Sequence, residues 1–253
     1  MNLRAKIRGK IPTLGTWITL YHRGIVELAC NAGLDWVCVD LEHSSIDLDQ
    51  ASTLIAIARA KGVPALVRLS SNDAVQIKRV MDAGAEGVIV PMVKTVDEAL
   101  SAYKSLHYPP QGFRGVGLAP AQDYGPGFDR YKEWQKDGPV LIIQIEHIDA
   151  VNNLEALLAL DEVDGYMVGP YDLSASMNIP GEFQNPKFLE VSKRLDAITS
   201  KVKKSSGIHI VEPDLARLRE CLAAGYSFLA ISLETRILDR FYRNAVGSIK
   251  DKR

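Results

Sequence analysis

The chain lacks a marked charge of either sign: 30 Lys plus Arg stand against 31 Asp plus Glu in 253 residues, a formal net charge of -1. That balance gives no reason to expect the attraction that nucleic acid or an anionic membrane surface demands, and it points to a small-molecule partner. Cysteine is scarce too. Cys30, Cys38 and Cys221 are an odd number without metal-ligand spacing, and two lie in apolar stretches, so they are expected to be reduced core residues of a cytoplasmic protein. No apolar run approaches a membrane span, and MNLRAKIRGK lacks the apolar stretch a secretory signal carries after its basic residues. Export and membrane insertion are disfavoured. Also missing is a Gly-rich phosphate turn after the first strand, which weighs against a doubly wound open sheet.

What is present is a regular alternation. Short apolar runs (TLGTWIT, DWVCVD, PALVRL, GVIVP, VLIIQIE, DGYMVG, GIHI, SFLAIS) read as strands buried on both faces. Between them IVELACNAG, LDQASTLIAIARAKG, AVQIKRVMDAG, DEALSAYKSL, AVNNLEALLAL and LARLRECLAAG space apolar residues as helices do, several ending in Gly. Repeated βα units, a count of eight and a length near the roughly 250 residues typical of the fold predict an α/β chain forming a single (β/α)8 TIM barrel over residues 1–253. Residues 107–139, rich in Pro and Gly, exceed an ordinary connection and are expected to form a functional loop over the barrel mouth. SASMNIPGEFQNP has too many turn formers for one helix and is expected on the rim.

In a parallel barrel the site lies at the C-terminal strand ends. Those ends carry Asp40, Glu42 and His43 after strand two, Arg68 on strand three, Gln144, Glu146 and His147 on strand five, and Asp172 after strand six. Glu146 and Asp172 are a hard-oxygen pair suited to Mg2+ or Mn2+ and to a chelating 2-oxo acid, although each alone would more commonly cap a helix or pair with a cation. His43 is either a catalytic base, in a dyad with Asp82, or a structural histidine. Arg68 would stabilise enolate charge, form an ion pair with Asp40 or Glu42, or do both. Lys94 is the nearest Schiff-base candidate, but VKTVDEA reads as a solvated helix start. His22, His107, His147 and His209 are left without a role.

Seven segments, LGTW, DWVCVDLEHS, VRLSSND, IKRVMDAGAEGVIVPMV, YPPQGFRGVG, QIEHIDAVNNL and VDGYMVGPYDLSASM, occur in order along nearly the whole chain. In this combination the chain resembles the HpcH/HpaI aldolase family. The resemblance implies cleavage of a 4-hydroxy-2-oxo acid to pyruvate and an aldehyde, with a divalent metal (Mg2+, Mn2+ or Co2+) on Glu146 and Asp172. It further implies His43 as proton acceptor, Asp82 as the group raising its basicity, Arg68 as transition-state stabiliser, and Gln144 and Tyr171 as substrate contacts. A homo-oligomer is implied as well, a hexamer of dimers that exchange their last helix. Three departures bear on specificity: LAPAQDYG after RGVG in place of a loop Arg, His147 in place of a small residue, and SLETRIL at the end of strand eight. Related enolate chemistry leaves oxaloacetate decarboxylation and CoA-thioester cleavage as alternatives, although no basic cluster suits the CoA phosphates. A noncatalytic metabolite-binding barrel is the alternative from another class.

Overall fold

The computed structural model describes residues 1–250. Strands β1 (Thr13–Ile18), β2 (Trp36–Asp40), β3 (Ala65–Arg68), β4 (Gly87–Val90), β5 (Val140–Ile145), β6 (Gly165–Val168), β7 (Ser205–Ile210) and β8 (Phe228–Leu233) pair in parallel, in chain order, and close into a barrel. Each lies on the segment the apolar pattern marks. Every residue of β2, β4 and β5 is buried, because helices cover the outer face while side chains fill the lumen.

The helices run back along the outside: α2 (Arg23–Asn31), α3 (Leu48–Ala60), α4 (Ala74–Ala83) and α5 (Val96–Leu106) follow the first four strands. Local chemistry sets their starts. Capping boxes of Asp47 with Gln50 and of Thr95 with Glu98 open α3 and α5, satisfying backbone N–H groups that a first turn leaves free. AVNNLEALLAL, read as one helix, divides at Asn153 into α7 (Ile148–Asn152) and α8 (Leu154–Ala159). The turn-rich segment SASMNIPGEFQNP is not one helix: it runs from the end of α9 (Pro170–Ser176) through turns to the start of α10 (Pro186–Thr199); α11 (Leu215–Ala223) and α12 (Glu234–Lys250) complete the circuit. Among the described residues no helix is long and apolar enough to cross a membrane.

The lumen is a packed core. Trp36 stacks on Phe228 with ring centroids 4.3 Å apart, and Gly15 leaves room for it, since a Cβ there would lie 2.2 Å from the Trp36 ring. Beneath this pair α1 (Leu3–Arg8) closes the floor with Leu3 and Ile7, which pack into the same cluster. Buried Asp164 fastens α1 to the barrel: it accepts from Arg4 Nε at 2.9 Å and from the Leu141 N–H at 2.9 Å, and it also binds Arg8.

Residues 107–139 do not cover the mouth, which corrects the expectation from their composition. They join the end of α5 to the start of β5 and hold α6 (Phe128–Trp134), so they travel along the barrel's lower flank. Arg59, in the last turn of α3, donates to the Pro120 carbonyl at 2.6 Å, and Arg114 donates to Asp82, in the last turn of α4, at 2.8 Å. A helix-to-strand connection must arrive at the N-terminal strand ends, opposite the catalytic face.

Candidate active site

A cavity of about 390 Å³ opens at the C-terminal strand ends. Its acidic wall comes from β5 and β6. Glu146, one residue past β5, is 2% exposed, and its carboxylate accepts from the Met92 N–H at 2.6 Å and from Gln144 Nε2 at 3.0 Å. Met92 reaches it from a left-handed backbone with φ of 54°, a conformation costly for a residue with a side chain. Burial pushes the Glu146 carboxyl up to about 7 against the opposing Met92 N–H, and the charges of Glu42 and Asp172 push the same way. Asp172 sits in the first turn of α9 and lines the same cavity, as does Tyr171, whose ring packs edge-on against Phe183 at 5.0 Å.

Glu146 and Asp172 fit a hard divalent cation. Among the described residues no metal-sized group of three His, Cys, Asp or Glu forms, so a cation held here would keep positions for water and substrate, as Mg2+ sites commonly do. Charge points the same way: Asp40, Glu146 and Asp172 line a cavity to which Arg68 is the sole Lys or Arg contributed by the described residues.

Close approach of Glu146 requires Gly169. A Cβ at that position would stand 2.6 Å from Glu146 Oε2 and 3.0 Å from its Cβ, while the Met92 and Gln144 bonds prevent the carboxylate from stepping aside. Gly169→Ala is expected to weaken Mn2+ binding by roughly 10–100-fold, a displaced-ligand effect, while the fold persists. Calorimetric titration checks this; wild-type affinity in the variant would remove the requirement.

The facing wall comes from β2 and β3. Asp40 is 1% exposed and grips Arg68 through two bonds, Nε at 2.8 Å and Nη2 at 2.6 Å. Arg68 Nη1 also lies 3.1 Å from Glu42 Oε2, an ion pair outside hydrogen-bond geometry. Both readings of Arg68 therefore hold together: it is ion-paired, and it lines the cavity. His43 reaches the cavity from the rim with its side chain 64% exposed and Nε2 4.0 Å from Glu42 Oε2.

Asp82 is not brought to His43. Because α4 runs back from the mouth, its last turn lies at the floor end, where Asp82 bonds buried Arg114. A His43–Asp82 dyad is not formed within one chain and would need two copies. Lys94 is absent from the cavity wall; its backbone N–H donates to Glu98 at 2.6 Å in the capping of α5, the solvated helix start its sequence suggested. His22 and His147 cap α2 and α7 through Nδ1, and buried His107 bonds the Tyr103 carbonyl at 2.9 Å. His209 is different, since it lines the cavity beside Trp17. Its signal was a polar residue near the C-terminal end of a strand, the position that faces the barrel mouth.

Comparison with known proteins agrees with this architecture. The HpcH/HpaI aldolase/citrate lyase family pattern matches residues 13–239. A hydroxypyruvate/pyruvate aldolase of Sagittula stellata is 34% identical over 236 residues, covering 93% of this chain and 92% of its own. A 4-hydroxy-2-oxo-heptane-1,7-dioate aldolase of Shigella sonnei is 36% identical over 242 residues, 94% of this chain and 91% of its own. Among solved structures, an HpcH/HpaI aldolase from Desulfitobacterium hafniense superposes with a TM-score of 0.87 at 29% identity, over 99% of this chain and 97% of its own. The chain belongs to the HpcH/HpaI aldolase/citrate lyase family and is an aldolase, a carbon–carbon lyase.

Proposed function

We propose that this chain is a cytoplasmic, divalent-metal-dependent aldolase that cleaves a 4-hydroxy-2-oxo acid to pyruvate and an aldehyde. The observation that carries the reading is the convergence of Glu146 and Asp172 on one cavity wall with Arg68 and His43 across from them. Bound Mg2+, Mn2+ or Co2+ would supply a Lewis acid for the enolate charge. Glu146 and Asp172 would hold the cation. Gln144, whose Nε2 donates to Glu146 Oε2 at 3.0 Å, would contact the substrate beside that carboxylate, and Tyr171 would meet the substrate at the rim. His43 would take the proton of the hydroxyl as the carbon–carbon bond breaks, and Arg68 would counter charge on the oxygen that loses it. Asp82 would raise the basicity of His43 only from a second copy.

Proton–deuterium exchange at the pyruvate methyl group tests this without knowledge of the aldehyde. Exchange that needs Mg2+, Mn2+ or Co2+ and stops with EDTA is the expected result. Folded protein that binds metal yet exchanges nothing would sink the reading and favour a noncatalytic barrel. Oxaloacetate decarboxylation passes through the same enolate, so release of CO2 without aldol cleavage would favour that alternative. A CoA thioester finds little here, because among the described residues Arg68 is the one Arg or Lys on the cavity wall and Asp40 holds it.

We also propose a homo-oligomer, with the hexamer of helix-exchanged dimers as its form. Of the 17 residues of α12 only Glu234 is buried, and Phe241, Tyr242 and Ile249 are each more than half exposed. Beside the root of α12 lies a groove lined by Ile18, Ile25, Leu28, Ala29 and Ile231, where the eighth helix of a barrel would pack. A partner's α12 would cover it and remove apolar surface from water on both copies. Light scattering is expected to give a multiple of 27.8 kDa for the full chain, and deletion of residues 240–253 should reduce it to smaller species. A monomeric full chain would refute exchange.

A further inference from the structure

Between the acidic wall and the Arg68 wall, the cavity is completed by side chains at the ends of β1, β7 and β8, mainly apolar ones such as Trp17, Val211 and Leu233. Two polar side chains interrupt this stretch: Thr19, whose hydroxyl donates to Glu234 at 3.0 Å, and His209, on β7, whose orientation is fixed. The register between β1 and β8 shifts between Gly15 and Trp17, and Ser232 there takes φ of 50°, the geometry of a bulge that re-aims its carbonyl. That carbonyl lies 3.1 Å from His209 Nε2, while the imidazole packs against Trp17 with centroids 5.0 Å apart. A carbonyl only accepts, so Nε2 carries the proton and Nδ1 is left as a bare acceptor. Burial drives the imidazolium pKa down to about 4, with Arg68 nearby acting in the same sense, so the ring is neutral at working pH. Among the described residues Nδ1 finds no hydrogen-bond partner, and it is not sealed from solvent.

We propose that His209 determines specificity for the aldehyde, its Nδ1 accepting a hydrogen bond from a hydroxyl group so that short 2-hydroxyaldehydes are preferred to unsubstituted and carboxylated ones. This rests on the aldolase reading above. With the oxo acid held at Glu146 and Asp172, the aldehyde carbons extend toward the β1, β7 and β8 side. There an alkyl group would leave Nδ1 desolvated and unpaired, a penalty that hydrogen-bonding sites impose on analogues lacking the hydroxyl. A distal carboxylate fares no better. The cavity offers it Asp40, Glu146 and Asp172, and the guanidinium of Arg68 is already held by Asp40.

The test is the ratio of kcat/KM for aldol addition of pyruvate to glycolaldehyde and to propanal, which match in heavy-atom count and differ in one hydroxyl. Succinic semialdehyde serves as the carboxylated probe. Taking the ratio within one protein cancels any loss of folded fraction. Wild type is expected to favour glycolaldehyde by about tenfold or more, the effect of one neutral hydrogen bond. His209→Leu should bring the ratio close to one, and His209→Gln, which can donate to Ser232 and still offer an oxygen, should restore most of it. A ratio unchanged in His209→Leu, or a wild type that prefers propanal or succinic semialdehyde, would overturn the assignment. Pyruvate methyl exchange in the wild type separates the two failures: exchange with the wrong aldehyde preference defeats the role of His209 alone, whereas absent exchange defeats the aldolase reading beneath it.

Discussion

Glu146→Gln is expected to abolish metal-dependent pyruvate exchange, lowering the rate by roughly 10³-fold or more, since a Lewis acid contributes several kcal/mol to such a transition state. The same substitution is expected to stabilise the metal-free fold. In the folded chain the Glu146 carboxyl is raised from an ordinary 4.5 to about 7, chiefly by burial, so between those values the folded state holds a proton that the unfolded state has released. Stability therefore falls as pH rises through this window, and the penalty is complete above about pH 7. Glutamine carries no charge to bury. It can still accept from the Met92 N–H, and it can donate to Gln144 Oε1, which has no partner among the described residues. In EDTA at pH 8 the variant should be the more stable by roughly 1–3 kcal/mol, with the gap closing near pH 4.5. With Mn2+ the order should reverse, because binding stabilises only the protein that binds. Thermal unfolding at pH 5 and pH 8, with and without metal, reads all of this. A variant less stable than wild type in EDTA at pH 8 would contradict the burial argument.

Arg68→Lys should be nearly as damaging to turnover while leaving most of the fold intact. Lysine keeps the charge but cannot hold Asp40 through two parallel bonds and still lie against Glu42. A loss of roughly 10²–10³ in kcat is expected if the guanidinium meets developing oxygen charge. The fold should lose about 1–2 kcal/mol for the weaker pairing. Arg68→Ala is the harsher change, leaving buried Asp40 and half-buried Glu42 without their cation at a cost of roughly 3–5 kcal/mol. Steady-state cleavage rates and unfolding midpoints separate the two effects. A lysine variant with wild-type kcat would reduce Arg68 to a structural ion pair.

The barrel was legible because each strand is short, apolar and set between helices that begin or end on recognisable caps. Asp40, Glu42, His43, Arg68, Gln144, Glu146 and Asp172 could be placed on one face because they stand at C-terminal strand ends, and strand direction fixes which end that is. Asp82 does not join that face within one chain, for a related reason. It lies on a helix, and a returning helix carries its last turn to the floor, where Arg114 holds it. The 107–139 segment follows the same rule: its Pro and Gly content says that it is irregular, whereas its place after α5 says where it runs. Bonds between residues distant in the chain, such as His209 to Ser232, have no sequence period at all. The His209 bond goes with the left-handed backbone of Ser232, beside the slipped register of β1 against β8.

The floor that α1 makes has a kinetic meaning. With Leu3, Ile7 and the Arg4–Asp164 pair sealing the lower end, traffic has one doorway, and the two substrates must share it. The acid-lined end is deep, with Glu146 2% exposed, whereas Tyr171 at the rim is 67% exposed. Under the proposed reaction, an oxo acid seated deep would be overlain by the aldehyde, so in the synthetic direction binding would follow a compulsory order, oxo acid first. In cleavage the aldehyde would depart first and pyruvate last. An aldehyde entering an empty cavity would stand in the path of its own partner, so excess aldehyde is expected to act as a stopper competing with the oxo acid.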